Sequence, residues 1–540
     1  MRKIEIQLFI LICLLVPVAL FSQDDEAIIA GKDIATVSTD NGAVRGYIHK
    51  GIFTYKGIPY AKAERFMSPE KPPSWTGIRS SMTYGPVCPM DPTTSVNDQT
   101  EFVFHHNWGY TNENCQTLNI WTPGINDHKK RPVMVWLHGG GFSTGSSVEL
   151  PSYDGESLSR KGDIVLVSVN HRLNVLGFLD LSAYGEKYKS SANAGLIDLV
   201  AALQWIRQNI EQFGGDPGNV TIFGQSGGGA KVASLMNAPS AKGLFHKAIV
   251  ESGSYLTGFI EPAISRRIAG ALLEELQLQP AQVDSLQKIP YERLNAASKK
   301  AITKITAALR AEGKQVPGFG LSWGPVLDGD FLPYQLTDSA AAIISKDVPL
   351  LVGSTKNEFA PFISSGAEMS FDSLKISLRK KYGEKTEAYI QAVSQAYPGT
   401  VNSSDYTEID FIFRPGVIAH ANLKADQKGA PVFTYLFTWQ SPVLDGKFKA
   451  IHCMELPFVF NNIALCEEMT GGVKSAYELA DKMSGAWINF AKKGNPNSKG
   501  LPDWPAYTKD KGPVMIFDNK CEVRNSPDKD LLSIAVQPGR

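Results

Sequence analysis

The chain has 540 residues, 43% hydrophobic and 20% charged, with 54 basic residues against 54 acidic ones and a formal net charge of zero. That length and composition support a large buried core and exclude a mainly disordered protein. Balanced charge without a long block of one sign excludes electrostatic capture of nucleic acid or of an anionic membrane surface, and leaves small, roughly neutral partners.

At the N-terminus Arg2 and Lys3 precede the apolar run LFILICLLVPVALF, Leu8 to Phe21, which gives way to SQDDE. Such a run suits the apolar core of a secretory signal and falls short of the ~20 residues a membrane-crossing helix needs. The expectation is a signal peptide over residues 1–22 cleaved near Ser22 or Gln23, an uncleaved anchor being the alternative. The mature protein is then secreted or periplasmic and free of the membrane. Export permits disulfides. Cys88 and Cys115 bracket a segment without regular pattern and are expected to pair, a link worth roughly 3–4 kcal/mol on the loop-entropy account. Cys453, Cys466 and Cys521 receive no partner. No metal-ligand spacing such as C-x-x-C or H-E-x-x-H occurs, so neither metal nor cofactor is implied.

Short apolar runs then recur, each ending in a polar or glycine-rich loop: Pro132 to Leu137, Asp163 to Val169, Asn219 to Phe223, Lys247 to Ser252, Val348 to Gly353 and Pro431 to Trp439. Continuous apolar character over five to eight residues predicts strands buried on both faces. Between them, Leu196, Leu199, Val200, Leu203, Ile206 and Ile210 follow steps of three and four and predict a helix from about Gly195 to Gln212. Strands alternating with helices predict an α/β fold with a doubly wound, mostly parallel sheet, whose ligands gather at the carboxyl ends of the strands. Two longer stretches, about 261–346 and 371–428, read as helical insertions over those ends within a single domain spanning 23–540.

The chemistry is expected where strands meet turns. NVTIFGQSGGGA, Asn219 to Ala230, reads as strand, sharp turn and helix, with Ser226 in a G-x-S-x-G frame. That frame thrusts a serine out at the top of a sheet as a nucleophile and places the N–H of Gly227 at a helix N-terminus, ready for an oxyanion. HGGGF, His138 to Phe142, follows an earlier strand, and Gly140 and Gly141 are assigned the remaining oxyanion donors. A serine needs a histidine base and an acid to orient it, here expected in the order serine, acid, histidine. After Ser226 stand His246, leading into a strand, His420, on a helical pattern, and His452, in a loop beyond a strand; His452 is the expected base. Glu358, just past Val348 to Gly353, is the expected acid, with Asp328 before Gly329 the runner-up.

These segments resemble the type-B carboxylesterases, the α/β-hydrolases that include cholinesterases and bacterial para-nitrobenzyl esterases. The resemblance runs from about Asp40 to Phe517 and is carried by Phe213 to Gly228, by HGGGF and by HCMELPFVF after Ile451. ENCQTLNIWTP, Glu113 to Pro123, matches imperfectly: Asn114 replaces the family's aspartate and Gln116 its leucine, while Cys115 survives and by similarity pairs with Cys88. Gln225 stands where the family usually has glutamate and Gly227 where it has alanine. The lost charge at Gln225 is expected to move the acid limb of the rate profile modestly to lower pH.

The α/β-hydrolase fold and the hydrolysis of small carboxylic esters through an acyl-enzyme on Ser226 are what the resemblance implies. Amide or carbamate hydrolysis by the same triad, and a non-catalytic binding role, are the rival readings. Phe319, Leu321 and Trp323 fall where family members line the acyl pocket, though core residues would read the same. Trp108 is not at the offset of a choline-binding tryptophan, so choline esters are not expected.

Overall fold

Within each central strand, alternate side chains go to opposite faces and so divide the core in two. Val133, Val135 and Leu137 join the cluster containing Leu196, Leu199 and Ile206, whereas Met134 and Trp136 join the one containing Met483, Trp487 and Phe490. The helices Ala194–Asn209 and Lys474–Lys493 supply those partners, one on each face of the sheet. In this computed structural model, residues 27–91, 95–254, 258–317, 320–364 and 368–536 are described. The expected signal peptide lies outside them.

The large sheet has eleven strands: β1 (Tyr47–His49), β2 (Ile52–Pro59), β3 (Thr117–Thr122), β4 (Arg131–Leu137), β5 (Val165–Val169), β6 (Gly215–Gln225), β7 (Lys247–Glu251), β8 (Leu350–Thr355), β9 (Val432–Phe437), β10 (Pro513–Phe517) and β11 (Glu522–Asn525). Their spatial order is β11-β10-β9-β8-β7-β6-β4-β5-β3-β2-β1. From β10 through β5 every neighbouring pair is parallel; the margins, β1 to β3 and β11, pair antiparallel. This doubly wound, mostly parallel sheet is the expected architecture. Thr36–Thr39, Gly42–Arg45 and Ile78–Ser80 form a separate three-stranded sheet.

The predicted helix from Gly195 ends sooner than its pattern, passing at Ile210–Phe213 into a 3-10 turn that Gly214 closes with φ 74°. Helices Pro262–Glu275, Tyr291–Ala311 and Ser339–Ile344 and the 3-10 segment Pro280–Lys288 occupy much of 261–346. The described residues between Ala311 and Ser339 are irregular instead, as the prolines and glycines there require, and touch the body through a bridge from Val326 to Ile260. The second stretch holds Phe371–Tyr382, Thr386–Ala396, Ser403–Thr407 and Phe413–Asp426.

One ion pair fastens the loop after β5. Arg172 meets Asp198 in a two-bond fork, Nε to Oδ2 at 2.8 Å and Nη2 to Oδ1 at 2.7 Å, with both side chains buried. The guanidinium also donates to the carbonyls of Glu64 and Met67. Charges taken out of water persist only when their hydrogen-bonding capacity is met in this way.

Candidate active site

Ser226 joins β6 to helix Gly227–Met236 with φ 58° and ψ −126°, a conformation L-residues avoid at a cost of about 1–3 kcal/mol. Backbone bonds hold the turn: Ser226 N–H donates to Glu251 O at the end of β7 (2.8 Å), and Ser226 O accepts from Ala230 N (3.0 Å). Ser226 is the helix N-cap, yet its side chain makes no capping bond. The hydroxyl is therefore not spent on the helix.

The glycine loop after β4 closes on the turn. Gly140 and Gly141 have φ of 79° and 60°, and a Cβ on Gly140 would lie 2.4 Å from Thr144 O. A Cβ on Gly227 would come within 2.4 Å of Gly141 N and Cα and 2.3 Å of its oxygen. The backbone of Gly141 thus fills the space of a side chain at 227, which gives the departure from alanine a steric cause. Gly139, Gly140 and Gly141 converge with the helix N-terminus beside Ser226, a concavity of backbone donors suited to an oxyanion.

The acid and base come from the ends of neighbouring parallel strands. Glu358, just beyond β8, makes a parallel bridge with Ile451, beyond β9, and His452 N donates to Glu358 O at 3.1 Å. His452 Nδ1 hydrogen-bonds to Glu358 Oε2. Glu358 Oε1 is satisfied by Ser252 Oγ at 2.6 Å and by Thr355 N at 2.8 Å. Both side chains are buried. With Nδ1 engaged, Nε2 is the nitrogen left to take a proton. Phe359 and Phe413 flank the imidazole, with ring centroids 4.3 and 5.2 Å away.

Gln225 Nε2 lies 3.3 Å from both ring nitrogens of His452. An atom in the ring plane at equal distance from both would collide with Cε1, so the amide stands over the ring face. Its oxygen accepts from Cys453 Sγ at 3.2 Å. The residue preceding Ser226 therefore touches His452, although Ser226 Oγ is not among the hydrogen-bond partners of the ring. In serine hydrolases without substrate that bond is commonly loose.

Two further carboxyls share this interior. Burial raises Glu251 to about 8, although Trp487 Nε1 donates to its Oε1 at 2.7 Å. Burial, then the charge of Glu358, raises Glu455 well above the carboxylate range, and neither Glu455 oxygen has a hydrogen-bond partner. Glu251 is thereby held mainly neutral near pH 7, and Glu455 is pushed in the same direction. Environments that separate the protonation of neighbouring carboxyls also separate their roles.

Other expected residues take other places. Asp328 accepts from Asp330 N and Leu332 N and from Asn193 Nδ2, so it braces a turn. His420 is buried on helix Phe413–Asp426 against Ser254 Oγ, and His246 Nδ1 accepts from Val220 N. Trp323 is buried, Leu321 is half-buried, and Phe319 lies outside the described residues. Gly324 faces Phe142 of the glycine loop, a Cβ there being 3.9 Å from the ring. The expected Cys88–Cys115 disulfide is not formed: both are buried free thiols, and the Cys88 sulfur accepts Leu173 N at 3.2 Å. Sequence reasoning missed Ser252, Phe413 and Lys231. A serine or lysine inside an apolar run carries no motif, and only the fold shows what it faces.

The carboxylesterase family model matches residues 33–534, nearly the whole described chain. The chain belongs to the carboxylesterase family. It is a carboxylic ester hydrolase of α/β-hydrolase fold, as the sequence resemblance implied. It is 36% identical over 505 residues to the para-nitrobenzyl esterase of Bacillus subtilis (strain 168), covering 92% of this chain and 97% of that one. It is 31% identical to the phenmedipham hydrolase of Pseudarthrobacter oxydans, covering 92% and 98%. Among solved structures, an esterase from anaerobic Clostridium hathewayi that can hydrolyze aliphatic aromatic polyesters superposes with a TM-score of 0.84 at 38% identity, covering 94% of this chain and 99% of that one.

Proposed function

We propose that this carboxylesterase works by acyl transfer through Ser226, in a secreted or periplasmic setting. Ser226 Oγ attacks the ester carbonyl while His452 Nε2 takes its proton, and Glu358 holds the imidazole and stabilises its protonated form. The N–H groups of Gly140, Gly141 and Gly227 receive the oxyanion. His452 then protonates the leaving alcohol, and a water repeats the cycle on the acyl-enzyme. The observation that carries this reading is the Glu358–His452 pair, with His452 touched by the residue that precedes Ser226.

The substrate is an uncharged ester with an apolar or aromatic group. Phe359 and Phe413 beside the base, and Trp323 with Gly324 beside Phe142, offer apolar walls and no fixed charge to greet an ionic one. The likeness to a para-nitrobenzyl esterase and to an esterase of aliphatic aromatic polyesters supports that class. Export would also place the neighbouring thiols of Cys88 and Cys115 in an oxidising compartment, where they would form the disulfide.

Labelling by a fluorophosphonate probe, lost in Ser226→Ala, tests the nucleophile. Turnover of an aryl ester beside its matched amide tests the bond cleaved: the reading expects the ester to be far faster. Amide turnover at a comparable rate would make this an amidase.

A further inference from the structure

Lys231 lies one turn beyond Gly227 on the helix that follows Ser226, so both positions face the glycine loop. It is fully buried. Its Nζ donates to the carbonyl oxygen of His138 at 2.8 Å and lies 3.5 Å from that of Gly139. Both bonds go to backbone carbonyls; among the described residues no carboxylate pairs with it. The titratable groups that face it are Glu149 and Cys88, which favour its charge, and the imidazoles of His138 and His171. Burial holds both imidazoles well below the usual histidine range, so they face the ammonium as neutral rings. The ring of Phe142 lies 5.9 Å from Nζ.

A peptide unit is planar, and its C=O and N–H point to opposite sides. The carbonyl of His138 shares its plane with the N–H of Gly139, and the carbonyl of Gly139 shares its plane with the N–H of Gly140. Fixing both oxygens on one cation therefore fixes where those N–H groups aim. A cation on the oxygen also polarises the amide and strengthens its N–H as a donor.

We propose that Lys231 is a positioning residue for ester hydrolysis: its ammonium clamps the His138 and Gly139 carbonyls from behind the loop and so sets the aim and strength of the Gly140 N–H, one of the oxyanion donors. The inference rests on the reading of Ser226 as nucleophile and Gly140 as donor. Burial draws the Lys231 ammonium down to about 7, against the opposing pull of Glu149 and Cys88. The sign follows. The clamp carries its full charge below that pH and loses it as pH rises through it, whereas a general base gains activity as it deprotonates. The rate should therefore fall on the alkaline side through the clamp.

The test compares wild type with Lys231→Met, which removes charge and donor, and Lys231→Gln, which keeps a neutral donor, using an aryl ester from about pH 5.5 to about pH 9. The expected result is a kcat lowered about 10- to 100-fold in Lys231→Met below pH 7, with KM changed less than about 3-fold. Lys231→Gln falls between, and neither variant keeps the alkaline limb. A folded Lys231→Met with wild-type kcat and profile, or with its loss confined to KM, overturns the proposal. Should thermal melting show both variants unfolded, wild type decides alone, and a kcat level up to about pH 9 overturns it. Turnover surviving in Ser226→Ala would instead sink the underlying reading, whereas an inactive Ser226→Ala beside an unchanged Lys231→Met sinks this inference only.

Discussion

At the nucleophile turn the constraints are local: Ser226 has φ 58°, and Gly224, Gly227 and Gly228 around it are glycines because Gly141 and other backbone occupy the places of their side chains. At the acid–base edge Glu358 and His452 stand 94 positions apart and meet because the loops after β8 and β9 run side by side, bridged from Glu358 to Ile451. The turn is built by sterics and the edge by hydrogen bonds and charge. Substitutions in the two regions should therefore fail differently, with rate lost through displaced backbone in one and through a misdirected proton in the other.

The edge carries the largest expected effect. Glu358→Gln keeps the shape but removes the charge facing Nδ1 and the preference for the tautomer it selects, and kcat should fall about 10^3- to 10^4-fold with the thermal midpoint little changed. Steady-state kinetics with an aryl ester checks it; a loss under about 10-fold would remove Glu358 from the acid's role. At the turn, Gly227→Ala should cost about 10- to 100-fold in kcat, because a Cβ at 2.4 Å from Gly141 N forces the oxyanion loop to move. Unchanged kinetics would show that the loop yields freely and break the steric half of the comparison. The smallest effect is at the seam. Gln225→Glu puts a carboxylate over the face of the His452 ring, favours the protonated imidazole and should move the acid limb of the pH–rate profile modestly to higher pH. A limb that does not move would show that Gln225 acts on the base by packing alone.

The same division decides what could be read from the sequence. The turn was fully legible, since G-x-S-x-G after a strand states its backbone geometry in consecutive residues. The chain order of serine, acid and histidine led to Glu358 and His452, but nothing local revealed Ser252, whose hydroxyl fixes the other oxygen of the acid. Strands β4 to β9 were legible as apolar runs, whereas the antiparallel margins were not. In β3 the buried Asn119 breaks the apolar pattern, and only the fold shows it spanning Ser147 Oγ, Ser168 Oγ and Gly57 N. In β2 a register shift between Tyr55 and Ile58 hides the alternation. Cys88 and Cys115 are free thiols in the structure for a related reason: spacing shows that two cysteines can meet, not that they are joined.

The most direct measurement is mass spectrometry of enzyme quenched in acid during turnover of an activated ester. The account predicts one added acyl group, mapped to the peptide containing Ser226, and none in Ser226→Ala. Full wild-type turnover with no acylated Ser226 trapped under conditions where deacylation limits the rate, or an acyl group on another residue, would contradict it.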